Sequence, residues 1–329
     1  MRALRTILFV AGSLILILLV VRLGAGDIVS SLAQVAWWQF ALICLVYGLS
    51  VGVDTLGWRY AFPRDRVPLH RLLAARAAGE AVNVVTALGS VGGEPVKAWL
   101  LRRDVPYEES LPSVIIAKTA IIVAQALLLL LGIVVVWTSM LDSPLVTAML
   151  WLLLIEVGAI GGFLAAQVTG LIGKAGRLLS AFGIVEDASH IRRLDDTLRQ
   201  FYRWKWRRFL LSVGLHLIGW FCVILETVLT LSILGVPASL SAATVIEALG
   251  SAVRFATFLV PASLGALEGA NAAGFAALGL GARAGLVFSL VRRGRQAVWI
   301  GVGILALVAM RASAGAPTEA VEAAPRRAQ

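Results

Sequence analysis

Six long apolar stretches set the strongest constraint on how this chain folds: Thr6 to Val21, Trp37 to Trp58, Pro112 to Trp137, Pro144 to Val168, Phe209 to Leu234 and Ala284 to Met310. About 20 apolar residues in a helix cross a hydrocarbon core of roughly 30 Å, so the expectation is six transmembrane helices. Of the 329 residues 59% are apolar and 15% charged, against about 25% charged in an average soluble protein. A soluble globule is excluded and an all-α integral membrane protein is expected. The first stretch follows Met1-Arg2-Ala3-Leu4-Arg5 as a secretory signal would. It is longer than a usual signal core, and Arg22 stands where small cleavage-site residues belong, which favours a first membrane helix.

Two further segments, Leu72 to Leu101 and Ala242 to Leu280, are apolar but broken by Gly, Ser, Pro and charge. Their middles are Leu88-Gly89-Ser90-Val91-Gly92-Gly93-Glu94 and Val260-Pro261-Ala262-Ser263-Leu264-Gly265-Ala266-Leu267-Glu268. Glycine is entropically costly inside a helix and proline removes a donor, so each segment is expected to form a re-entrant helix–break–helix hairpin, giving eight spans if the hairpins cross. Irregular backbone at membrane depth is tolerated where protein or a water-filled cavity covers it.

Net charge is +10, from 29 Lys and Arg against 19 Asp and Glu. The cations concentrate after the second span (Arg59, Arg64, Arg66, Arg71, Arg76), after the first hairpin (Lys97, Arg102, Arg103) and between the fourth and fifth spans (Lys174, Arg177, Arg192, Arg193, Arg199, Arg203, Lys205, Arg207, Arg208). The opposite loops hold Asp27 and Asp142, with Arg283 the exception. The positive-inside rule then puts both termini in the cytoplasm, and the charge needs no nucleic-acid partner.

The broken segments resemble each other. Ser90 and Gly92 match Ser263 and Gly265, Glu94 matches Glu268, and 24 residues after each glutamate comes a cation, Lys118 or Arg292, at an offset of 173 to 174 residues. With two spans between the copies the repeat is inverted, a construction of transporters that hold substrate at the repeat interface; chance similarity of two Gly/Ala/Ser-rich stretches is the alternative. Residues 1–311 are thus a polytopic membrane domain with repeat halves near 72–168 and 242–311, and 312–329 a disordered cytoplasmic tail.

A charge at the centre of a span costs roughly 2.5–3.5 kcal/mol and marks function by default. Glu156, Glu226 and His216 are such residues; Glu247 and Arg254 lie seven apart on one helical face, and Glu80 and Asn83 occupy the matching arm of the first hairpin. If the last span began after Arg292, Arg293 and Arg295, only 15 residues would remain to Met310, about 22 Å. These arginines therefore need counter-charges, either Glu226, Glu247 and Glu268 or an anionic lipid headgroup. Lys118 is free to snorkel to the interface.

Cys44 and Cys222 have no ligand pattern around them, and His70, His190 and His216 are too scattered for a metal. Gly173-Lys174 lacks the rest of a phosphate-binding loop. No metal and no cofactor is expected.

The stretches Gly79-Glu80-Ala81-Val82-Asn83-Val84-Val85, Gly92-Gly93-Glu94-Pro95-Val96-Lys97-Ala98 and Phe258 to Gly269 resemble the lysylphosphatidylglycerol synthase transmembrane region, a flippase-like family, and within it the hopanoid-associated, HpnL-like group. The resemblance spans Leu4 to Met310. It implies movement of a lipid, a hopanoid or a phospholipid, within or across the bacterial inner membrane toward the outer membrane, with lipid-synthesis or export proteins as partners. The soluble transferase domain that follows the membrane region in some members is expected to be missing, hence no enzyme. The family commonly has arginine where this chain has Lys118. The expected lipid site comprises Glu80, Asn83, Ser90, Gly92, Gly93, Glu94, Lys97, Lys118, Glu226, Glu247, Arg254, Pro261, Ser263, Gly265, Glu268, Arg292, Arg293 and Arg295. The competing expectations are a membrane enzyme using paired carboxylates such as Glu80 and Glu94, and a scaffold for lipid-synthesis enzymes.

Overall fold

The computed structural model describes residues 2–85, 92–139, 144–171 and 189–315. These residues form twelve α-helices and one 3-10 turn, with no strand among them: α1 (Arg2–Leu23), α2 (Ala25–Ala33), α3 (Trp37–Tyr60), α4 (Leu69–Val85), α5 (Glu94–Leu100), α6 (Tyr107–Ser139), α7 (Pro144–Thr169), α8 (Ser189–Trp204), α9 (Trp206–Ile233), α10 (Leu240–Ala256), the turn Pro261–Ser263, α11 (Ala266–Ala277) and α12 (Ala282–Gly315). Six of them, α1, α3, α6, α7, α9 and α12, are long and apolar enough to cross a membrane, and they are the six apolar stretches. The chain is an all-α, multi-pass membrane protein. Its outer face shows why: Ile7, Leu14 and Val21 of α1 and Trp151, Leu154 and Ile155 of α7 are exposed, a surface that only hydrocarbon covers without cost.

Both broken segments are helix–break–helix. The long arms α4 and α10 have 17 residues each, about 26 Å of helix; the second arms, α5 and α11, have 7 and 12. At the second break Ala262 (φ 52°), Ser263 (φ 49°) and Gly265 (φ 77°) all adopt left-handed backbone, a conformation that costs a non-glycine residue roughly 1–2 kcal/mol. The tip is therefore held by its surroundings rather than by local preference.

The hairpins enter from opposite ends. At one end Trp58, Phe62, Leu72, Leu101, Val105, Val114 and Phe201 pack together, joining the end of α3 to the starts of α4 and α6. At the other, Val136, Leu145, Ala243 and Val245 pack together, joining the end of α6 to the starts of α7 and α10. The described loop cations Arg59, Arg64, Arg66, Arg71, Arg102, Arg103, Lys205 and Arg208 belong to the first end. Packing inside the bundle is reciprocal: α3 lies against α9, α4 against α12 and α10 against α6, so each long hairpin arm rests on the span that follows the other hairpin. Both contacts are close for the same reason. A Cβ on Gly303 of α12 would overlap the Ala77 carbonyl and Ala81 of α4, and one on Gly132 of α6 would overlap Ala248 of α10.

Three boundaries differ from the sequence expectation. Helix α6 begins at Tyr107, with Pro112 inside it. Residues 312–315, expected in a disordered tail, continue α12 to Gly315, because Ala312-Ser313-Ala314 does not oppose helix and glycine is the usual terminator. Helix α2 in the first loop was not anticipated; its Ile28 packs on Leu286 and Val287 of α12. Ser90 with its neighbours Leu88 to Val91, and Asp142, Lys174, Arg177 and residues 316–329, lie outside the described residues.

Candidate functional site

The first hairpin is closed by charge. Its arms cross where Gly93 backs onto the Gly79 carbonyl with no room for a Cβ. The Gly93 N–H donates to Asn83 Oδ1 at 2.6 Å, and Asn83 Nδ2 donates to Glu94 Oε1 at 3.4 Å. Lys97 reaches across from α5, donating to Glu80 Oε1 at 2.6 Å and Glu94 Oε2 at 3.0 Å. Lys118 of α6 meets Glu94 Oε1 at 3.3 Å. Gly92 sits in the turn before α5.

Behind this cluster, Arg76 of α4 donates to Asp54 Oδ2 of α3 at 3.0 Å, and Asp54 Oδ1 lies 2.7 Å from His216 Nδ1 of α9. Three cations (Arg76, Lys97, Lys118) face three carboxylates (Asp54, Glu80, Glu94), so this half is charge-balanced. Lys97 is 5% exposed, whereas the Glu80 side chain is about half exposed and that of Lys118 about one third.

The second hairpin is built on the same plan with arginine. Arg292 of α12 makes a two-pronged contact to Glu247 of α10, at 2.5 and 3.2 Å, and lies 3.5 Å from Glu226 of α9. Arg295 pairs with Glu226 and stacks over the Tyr47 ring at 3.8 Å. Arg293 donates to Glu268 Oε1 at 2.7 Å and to the Ala262 carbonyl at 2.9 Å. Glu268, in the first turn of α11, accepts the Gly265 N–H at 2.7 Å, where a carboxylate also suits the helix dipole. Arg293 thus ties α12 directly to the strained tip. Thr257 donates to Ser263 at 2.9 Å across that tip, after Pro261 opens the 3-10 turn. Glu226, Glu247 and Glu268 are all 0% exposed.

Arg254 differs. Its guanidinium lies over Trp220 at 5.8 Å, and no carboxylate oxygen of a described residue is within 4 Å of it. Four arginines therefore face three glutamates, an excess of one positive charge.

These contacts correct several sequence expectations. The arginines of α12 take their counter-charges from the protein. Glu268 pairs with Arg293 and Glu247 with Arg292, because neighbouring helix positions point about 100° apart and Arg292 turns to α10. Lys118 is an ion-pair partner rather than a snorkelling anchor. Arg76, counted with the loop cations, is buried and paired. Asp54, Tyr47 and Thr227 were missed. Asp54 carried a usable signal, a carboxylate inside an apolar stretch; Tyr47 and Thr227 carried none, since aromatic and hydroxyl residues are ordinary in spans.

Two broken hairpins, each closed by ion pairs to neighbouring helices of one bundle, invite comparison with known membrane families. The sequence model of the lysylphosphatidylglycerol synthase TM region matches residues 6–310. The chain belongs to that family. The match takes in all six spans and both hairpins, so the two clusters lie wholly within the family region. No curated protein and no solved structure matches the chain.

Proposed function

We propose that this family member binds a membrane lipid by its polar end and carries that end between leaflets, with the two hairpins as alternating gates. The carrying observation is the pair of ion-paired hairpins entering from opposite ends of the bundle. Buried ion pairs contribute little net stability and apolar replacements are often neutral or better, while each intramembrane charge costs several kcal/mol to insert. Folding does not require these groups, and polar transit does. Glu80, Lys118, Arg293 and Arg254, which are among the partly exposed members of the two clusters, are assigned first contact with the lipid.

The site is in the bacterial inner membrane with cytoplasmic termini, an orientation supported by the loop cations at one end. A hopanoid fits the charge-balanced first cluster, since its polar part need not be anionic. The test is leaflet exchange in vesicles. Reconstituted protein should accelerate it, and Arg293→Ala and Glu268→Ala should slow it at unchanged expression; wild-type exchange from both would remove them from the mechanism. Lipid profiles of a deletion strain separate an enzyme, which leaves a product missing, from a transporter, which leaves unchanged lipids in the wrong membrane.

A further inference from the structure

Among the described intramembrane carboxylates one stands apart from every ion pair. Glu156 lies in the middle of α7, 12 residues past Pro144, and is 0% exposed. Both of its carboxylate oxygens are buried without a hydrogen-bond partner. It points away from lipid: on α7 the buried positions Leu145, Met149, Glu156 and Gln167 form one stripe, facing α6, α8 and α10. The polar side chain beside it is Gln125 of α6, one of whose two amide hydrogens goes to the Ser251 carbonyl of α10 at 3.1 Å.

The charged groups of the neighbouring helices are committed elsewhere. Lys118 of α6 is on Glu94, Glu247 of α10 on Arg292, and Arg254 of α10 on the Trp220 face; Asp195 and Arg199 of α8 sit by Gly170 at the far end of α7. None of them forms an ion pair with Glu156. An isolated ionised carboxylate in a low-dielectric interior is far costlier than a neutral acid, and such a group neutralises instead. The helix around it is also weakened. Gly158, Gly161 and Gly162 have nothing within 4 Å of where a Cβ would stand, so packing does not demand them, and each costs roughly 0.5–1 kcal/mol relative to alanine.

We propose that Glu156 is an intramembrane proton-binding site, carrying a proton in the packed arrangement described here and releasing it to water only when α7 separates from α6 and α10. The released proton passes to an entering water molecule as hydronium and leaves a carboxylate that the closed seam does not accommodate. Through Gln125 and Ser251 the seam is tied to α10, the helix that carries Glu247 and leads to the second hairpin. The assignment stands on this seam alone and holds whether or not the protein moves lipid.

Infrared spectroscopy of the full chain in lipid bilayers tests it, because a protonated carboxyl and a carboxylate have separate stretching bands. Wild-type protein at pH 7 should show a protonated-glutamic-acid band that shifts on 13C-glutamate labelling, is absent in Glu156→Gln and moves in Glu156→Asp. Ordinary glutamic acids lose theirs near pH 4.3. Absence of any such band from the labelled wild type at pH 7, or a band unchanged in both variants, overturns the proposal; the wild-type measurement stands even if a variant fails to fold.

Discussion

Removing one half of the Arg292–Glu247 pair should destabilise the protein far more than removing both halves. Glu247 is 0% exposed and holds Arg292 through two contacts, at 2.5 and 3.2 Å. In Arg292→Leu it keeps only the Thr227 hydroxyl, which donates to it at 2.5 Å. Stranding one member of a buried pair costs about 3–5 kcal/mol. At about 2–4 °C per kcal/mol for a chain of this order, the unfolding midpoint in detergent should fall by roughly 6–20 °C.

Glu247→Leu strands the guanidinium less completely, since Arg292 retains Glu226 at 3.5 Å, and should sit at the lower end of that range. The double variant restores an apolar seam of similar volume and should return to within about 1 kcal/mol of wild type, a coupling of at least about 5 kcal/mol. Lys118→Met is the control: its pair with Glu94 is about one-third exposed on the lysine side, so the loss should be at most about 1 kcal/mol. Thermal unfolding followed by fluorescence, with the four proteins in one detergent, gives the cycle. Two single variants within 0.5 kcal/mol of wild type, or a double variant as unstable as their sum, would refute the view that these charges are held as a mutually neutralising pair.

Gly303→Leu and Gly132→Leu should each prevent close packing of a hairpin arm, because the new side chain would meet the Ala77 carbonyl and Ala81 in one case and Ala248 in the other; loss of monodisperse protein on size exclusion checks this, and unaltered elution of both would count against the reciprocal packing. Outside the spans, burial pushes the Tyr202 phenol up to about 12, and its hydroxyl donates to Gln167 Oε1 at 2.8 Å. The folded state then holds this proton more tightly than the unfolded chain, whose tyrosines titrate near 10. Its contribution to stability is complete below about pH 10 and is lost as pH rises toward 12. Ultraviolet titration should show wild type and Tyr202→Phe with the same number of tyrosinates near pH 11, the wild type's additional one appearing only as pH approaches 12.

The spans were legible because bilayer thickness imposes a length that an apolar stretch either meets or does not. The hairpin breaks were legible for a similar reason: Gly92-Gly93 and Pro261 oppose helix whatever surrounds them. Partnership was not legible. The same 24-residue spacing joins Glu94 and Lys118, which pair, and Glu268 and Arg292, which do not. Sequence separation along two helices does not specify which face each presents across a break. Asp54 with Arg76, and Arg295 on Tyr47, join α3 to α4 and α12 across distances in sequence that carry no local signal.

What the sequence by itself determined is the set of things that act locally: which residues must lie in lipid, where helices stop, and which charges are too costly to be accidental. Only the tertiary structure decided how those charges are neutralised, because in a low-dielectric bundle the counter-charge is whatever the packing of α4 on α12 and of α10 on α6 brings within about 3 Å. That packing gives Arg292, Arg293 and Arg295 carboxylate partners and, among the described residues, leaves Arg254 without a carboxylate and Glu156 outside every ion pair.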